Sequence, residues 1–214
     1  MEVFLGIDLG TGSAKGVLAD ASGVVLATET IPHAMNLPRP GWAEVDAEAL
    51  WWQEVCQLST RLAARAPAGA AITAMCVSGV GPCLVLCDAE LRPLRPAILY
   101  GIDSRAEAEI DLLTAELGED AILDRAGTLL SSQAVGPKLE WVFRHERDVF
   151  ERATGWYGSN SYIAAKLTGE YVMDHHTASQ CDRCMRQGSS TGTGPGRNAS
   201  AGIWHYLGWC GPVR

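Results

Sequence analysis

The segment Gly6-Ile7-Asp8-Leu9-Gly10-Thr11-Gly12-Ser13-Ala14-Lys15 constrains the fold of this chain more than any other. A short apolar run from Val3 ends on a carboxylate, Asp8, and passes at once into a turn of glycines and hydroxyl residues. A second strand is predicted from Lys15 to Asp20, and a third, rich in β-branched residues, from Val24 to Ile31 after the tight turn Ala21-Ser22-Gly23. Three strands joined by turns this short read as an antiparallel meander. Its first turn holds more glycine than an ordinary hairpin needs. Glycine lets backbone N–H groups approach an anion closely, and hydroxyls add donors to phosphate oxygens. A carboxylate beside such a turn suits Mg2+, which keeps much of its hydration shell and is held through water. A plain glycine-rich hairpin with a surface aspartate is the competing reading.

Downstream, three prolines between Pro32 and Trp42 predict a loop. Asp46 is placed to cap a helix from Ala47 to about Ala66, where Leu50, Val55, Leu58 and Leu62 recur at helical spacing and Pro67 and Gly69 end the run. Ile72 to Ser78 is a near-continuous apolar strand, of the kind buried on both faces of a parallel sheet. Further strands are expected at Leu84 to Cys87 and Pro96 to Tyr100, with a turn at Asp88 to Arg92. Helical periodicity returns at Ser104 to Leu117, Lys138 to Arg147 and Tyr162 to Leu167, and Glu170 to Met173 reads as a last short strand. The order β-β-β-α-β-β followed by helices predicts an α/β domain. It resembles the ribonuclease-H-like half-domain of the actin, Hsp70 and sugar-kinase superfamily, a mixed sheet with flanking helices. A doubly wound dinucleotide fold would start β-α-β.

The 214 residues suffice for one full core, or for one domain and part of a second. A net charge of −8 argues against nucleic acid or an anionic membrane as partner, since either would be met with Lys and Arg. A small molecule is the expected partner. No apolar run approaches the ~20 residues that span a bilayer, and Met1-Glu2-Val3-Phe4 lacks the basic flank of a signal peptide. A cytoplasmic location is expected. The seven cysteines are an odd number, and Cys56, Cys76, Cys83 and Cys87 lie in apolar sequence, as reduced thiols used as small hydrophobes do. Cys181 and Cys184 have CxxC spacing without a second pair, and His175 and His176, as neighbours on a strand, would point to opposite faces. Neither pair is read as a metal site.

Residues 183–214 differ from the rest. All 25 acidic residues precede them, seven glycines crowd them, and Ser189 to Gly196 is of low complexity. A natural flexible tail and an out-of-frame or truncated end both account for this composition. Residues 1–182 are therefore read as one domain, and 183–214 as an aberrant or disordered tail.

The Asp8 segment resembles the first phosphate motif of the superfamily named above, and later landmarks resemble the FGGY carbohydrate kinases in order. These are Pro38 to Trp42 with Glu44 and Asp46, then Ser78-Gly79, Asp88 to Ala97 leading to Asp103-Ser104-Arg105, Lys138 to Trp141, Val149 to Glu151, and Lys166 to Glu170. The similarity covers roughly residues 1–182 and is nearest to the pentulose-kinase branch. It implies an enzyme that moves the γ-phosphoryl group of ATP, with Mg2+, to a hydroxyl of a ketose or polyol, a pentulose first among them. By the resemblance, Asp8 is the catalytic carboxylate that holds the metal through water. Gly10, Thr11, Gly12, Ser13 and Lys15 bind the phosphates. Gly81, Pro82, Asp103 and Arg105 line the sugar site, and a homodimer is open to the full-length form. Two departures are visible. Xylulose kinases carry Met-His-Gly after the Ser-Gly, whereas this chain has Val80-Gly81-Pro82-Cys83. Where they carry Trp-Asn before the Asp-x-Arg, it has Tyr100-Gly101-Ile102. D-xylulose is therefore not the expected best substrate. In the family the catalytic base sits near the junction with a second domain and the adenosine-binding glycines lie in that domain, and these residues match neither. An inactive remnant that binds sugar weakly is the alternative reading.

Overall fold

The computed structural model describes residues 1–174 and Thr177; the readings of His175-His176, the CxxC pair and residues 183–214 lie outside the described residues. The predicted meander is present as β1 (Glu2–Leu9), β2 (Ser13–Asp20) and β3 (Val25–Pro32), antiparallel throughout, with Asp8 opposite Lys15 and Leu9 opposite Ala14. Alternation sets its faces. Val3, Leu5, Ile7 and Leu9 are buried on one side of β1, while Glu2, Phe4 and Asp8 are exposed on the other. The turn between β2 and β3 is closed by Asp20, whose carboxylate accepts from Ser22 N–H, Ser22 Oγ and Val24 N–H.

The predicted helix begins with a π-helical turn at Ala47–Trp52 and continues as α1 (Gln53–Ala63). Asp46 caps it as expected, accepting from Glu48 N–H at 3.0 Å and Ala49 N–H at 2.8 Å. Replacing Asp46 by alanine leaves both donors without that partner, and should lower unfolding stability by about 1 kcal/mol in a denaturant titration. Val55, Leu58 and Leu62 are buried beneath β2, where Gly16 makes room: a Cβ there would lie 2.5 Å from Leu62 Cδ1.

Beyond α1 the chain enters β5 (Ala71–Gly79), parallel to β1 with Asp8 level with Ser78, which gives the sheet order β3-β2-β1-β5. Two short ladders flank it. β4 (Glu44–Val45) pairs with β7 (Ala97–Ile98), and β6 (Val85–Cys87) with β8 (Gly155–Tyr157), both antiparallel. The remaining helices are α2 (Glu107–Leu117), α3 (Glu119–Ala126), α4 (Val135–His145), α5 (Arg147–Arg152) and α6 (Ser159–Thr168). Two apolar cores result. One gathers the meander, α1 and α6; the other lies under α4, α5, β6 and Trp156. Among the described residues no helix is long and apolar enough to cross a membrane.

Several expectations are corrected. The strand at Ile72 to Ser78 exists, but among the described residues β5 is an edge strand with one neighbour, and Ile72 and Cys76 are exposed rather than covered on both faces. Glu170 to Met173 forms no strand. Gly169 ends α6 in the left-handed conformation, Glu170 N–H is taken by Thr168 Oγ1, and Tyr171 donates its hydroxyl to Trp156 O. The helix expected from Ser104 starts at Glu107, and α3 and β8 were not foreseen. Cys83 and Cys87 are buried free thiols, and burial pushes each up to about 12.

Candidate active site

Parallel pairing brings the C-terminal ends of β1 and β5 to the same rim of the sheet. Leu9 O accepts from Val80 N–H at 2.7 Å, which fastens the segment Gly79-Val80-Gly81-Pro82 beside the glycine loop. Gly79 has no side chain where the N-terminus of α6 arrives, since a Cβ there would meet Ser159 Oγ at 2.4 Å. Ser159 Oγ in turn donates to Val80 O. At this rim Asp8 is exposed, and one of its carboxylate oxygens accepts from Ser78 Oγ at 3.1 Å. Register puts Lys15, also exposed, on the other side of Asp8. The side chains of Asp8, Lys15 and Ser78 therefore share one open face.

The loop itself is an incomplete hairpin turn. Gly10 N–H donates to Ser13 O at 3.0 Å, but the return bond from Ser13 N–H to Gly10 O is not made. Thr11 and Gly12 N–H likewise find no protein acceptor among the described residues. Three adjacent backbone donors beside an exposed carboxylate form a surface that can receive an anion. Among the described residues no three ligating side chains cluster to cage a metal. A single carboxylate with nearby hydroxyls fits a hydrated Mg2+, which binds through one or two carboxylates and keeps its waters.

Asp103 and Arg105 occupy a second group, separate from the loop. Both side chains are fully buried. Arg105 donates through Nε and Nη2 to the Asp103 carboxylate, at 2.9 and 2.7 Å, and through Nη1 to Glu44 at 2.8 Å. Its guanidinium lies 4.0 Å from the centre of the Trp42 ring. Asp103 also accepts Ala43 N–H at 2.7 Å, and Arg95 completes the group through Glu44 and Glu146. Burial lowers the Arg95 pKa from its ordinary value, opposed by the neighbouring Glu146. Among the described residues the hydrogen bonds of the Arg105 guanidinium go to the Asp103 and Glu44 carboxylates, and the group stacks on Trp42. Gly81 and Pro82, joined by a cis peptide, sit closer to the rim. The bridge between Leu84 and Ile98 sets this segment alongside Tyr100-Gly101, and Gly101 O accepts from Ser132 Oγ at 2.9 Å.

Sequence reasoning missed His33 and Glu54. His33 follows the last residue of β3, and its ring lies between the Glu54 carboxylate, with Nδ1 at 2.9 Å from both oxygens, and Gly10 O, 3.0 Å from Nε2. Both side chains are almost wholly buried, at 3% and 5% exposure. Burial raises the Glu54 carboxyl above the usual carboxylate range, and His33 opposes the rise. Nothing in the spacing of the two residues along the chain signals this contact.

Comparison with known proteins agrees with this architecture. The profile of the "FGGY family of carbohydrate kinases, N-terminal domain" matches residues 3–184. The xylulose kinase of Escherichia coli (strain K12) is 33% identical over 172 residues, 80% of this chain and 34% of that protein. A glycerol kinase from Nocardia farcinica is 30% identical over 179 residues, 81% of this chain and 36% of that one. Among solved structures, the xylulose kinase from Rhodospirillum rubrum superposes with a TM-score of 0.79 at 35% identity, over 83% of this chain and 36% of its own. The chain thus spans about a third of the length of the curated relatives it matches, 34% for the Escherichia coli enzyme. With the meander, the parallel β5 and the rim of β1 in place, the chain belongs to the FGGY family of carbohydrate kinases and matches their N-terminal domain.

Proposed function

We propose that these residues form the phosphate- and sugar-facing part of an ATP-dependent kinase for a ketose or polyol, a pentulose first among them. The observation that carries the reading is the rim of β1. There Thr11, Gly12 and Ser13 N–H have no protein acceptor beside the exposed Asp8 carboxylate. Phosphoryl transfer asks mainly for positioning and for neutralisation of charge on the transferred group. The loop amides and Lys15 would supply donors to phosphate oxygens. Asp8 would hold a hydrated Mg2+, whose contribution when bound is positive charge beside those oxygens. Gly81 and Pro82 would face the sugar, with Asp103 and Arg105 holding the Trp42 loop behind it. Since Gly81-Pro82 replaces an imidazole-bearing segment, a ketose or polyol other than D-xylulose is the proposed best substrate.

Completion of the kinase is proposed to need residues beyond this span, the base for the attacking hydroxyl and the adenosine site among them. The 214-residue chain alone should then show no sugar-dependent ATP turnover, because general-base assistance is worth about 10²–10⁴-fold. A coupled assay for ADP with Mg·ATP and D-xylulose, D-ribulose, glycerol or gluconate checks this. Ketose-dependent ADP release that is abolished by Asp8→Ala would overturn the need for further residues, and would confirm the kinase reading itself.

A further inference from the structure

We propose that His33 and Glu54 are a positioning pair that holds the glycine loop open for phosphate; this rests on the reading of Gly10 to Ser13 as a phosphate loop. His33 grips the loop twice. Its backbone N–H donates to Gly12 O at 3.1 Å, and its Nε2 lies 3.0 Å from Gly10 O. A carbonyl only accepts, so Nε2 carries a hydrogen. Nδ1 then faces a carboxylate, and a bond forms there only if one further proton sits between Nδ1 and Glu54. The pair is neutral as a unit, whether written as imidazolium with carboxylate or as imidazole with carboxylic acid. That neutrality makes its burial tolerable and adds no negative charge next to an incoming phosphate.

The consequence for the loop follows from peptide geometry. In a trans peptide the C=O and the following N–H point in opposite directions. Turning Gly10 O and Gly12 O towards His33 therefore turns Thr11 N–H and Ser13 N–H away from it. In a closed hairpin turn Gly10 O would accept from Ser13 N–H. Here Gly10 O is turned towards His33 Nε2–H, and the turn bond from Ser13 N–H is absent. The imidazole thus exchanges one internal hydrogen bond of the loop for a free donor at Ser13. Glu54, in the first turn of α1, fixes the ring orientation that makes this exchange possible.

The test uses the 214-residue chain, backbone-amide NMR, and Mg2+ with inorganic tripolyphosphate as probe. In the unaltered protein, tripolyphosphate should shift the Thr11, Gly12 and Ser13 amides, Ser13 N–H should exchange rapidly with solvent, and the His33 ring should carry hydrogen at Nε2. His33→Ala lets Ser13 N–H close onto Gly10 O. Its exchange should slow, and tripolyphosphate affinity should fall about tenfold, the worth of a hydrogen bond that must now be broken to bind. Glu54→Gln should keep the affinity, because its amide N–H can donate to Nδ1 of a neutral ring, whereas Glu54→Leu should lose it. Unchanged Ser13 exchange and affinity in His33→Ala would overturn the proposal. If that variant does not fold, a protected Ser13 amide or a bare Nε2 in the unaltered protein overturns it equally. Absence of any tripolyphosphate shift in the unaltered protein sinks the phosphate reading instead, and the pair is then judged on Ser13 exchange in His33→Ala alone.

Discussion

Arg105→Ala is expected to cost the chain about 3–5 kcal/mol of folding stability, the size of effect seen when one partner of a buried ion pair is removed. Arg105 is fully buried and donates to two carboxylates, Asp103 and Glu44. Truncation strands both. Asp103 keeps Ala43 N–H, and Glu44 keeps Arg95, but two negative groups then face each other in a region closed to water. The ring of Trp42 also loses the cation stacked 4.0 Å above it. Arg105→Lys should recover only part of the loss, since an ammonium cannot reproduce a planar fork shared between two carboxylates. Denaturant unfolding of the three proteins measures the effect. A loss for Arg105→Ala below about 1 kcal/mol, the range of an exposed pair, would mean that the guanidinium is free to serve a ligand, as the sequence had suggested.

The contrast between Arg105 and the meander shows which information a sequence carries openly. β1, β2 and β3 were readable because alternation and the turn residues Ala21-Ser22-Gly23 are local properties, and Asp46 because a cap acts on N–H groups two and three residues away. Asp8 and the glycine loop were readable for the same reason: the strand end, the carboxylate and the donors are contiguous. What was not readable depends on partners remote in sequence. An apolar run such as Ile72 to Ser78 states that a strand forms, but not how many neighbours it has, and β5 has one among the described residues. Asp103 and Arg105 looked like donors and acceptors for a sugar. The contacts of Arg105 with Glu44, some sixty residues earlier, and with the Trp42 ring could not be read from the sequence. His33 and Glu54 meet across 21 residues because β3 ends where α1 begins its first turn, and a lone histidine after a proline announces none of that. The strand end, the carboxylate and the glycine loop at the rim were legible, and the contacts made behind them were not.

The second large effect concerns Asp8. When residues 1–174 are continued by the remainder of the Rhodospirillum rubrum xylulose kinase, whose corresponding part superposes at a TM-score of 0.79, Asp8→Asn is expected to lower kcat by about 10²–10³-fold, the loss typical for removal of one preorganised charge-stabilising group. Asparagine preserves the shape of the side chain and an oxygen that can still accept from Ser78 Oγ, so the rim of β1 should keep its geometry. Only the charge goes. As the residue is exposed, folding stability should stay within about 0.5 kcal/mol, which separates this variant from Arg105→Ala. Sugar affinity, measured by calorimetry without nucleotide, should not change, because the proposed sugar-facing residues Gly81 and Pro82 belong to the neighbouring segment beyond Val80. The expected pattern is therefore a fall in kcat and in kcat/KM together, with unchanged sugar binding, as for an interaction made only in the transition state. Raising Mg2+ should restore little, since the carboxylate that orders the hydrated ion is gone. A variant that turns over like the parent, or that fails by losing sugar, would remove Asp8 from the phosphate end of the site and move it to the sugar end.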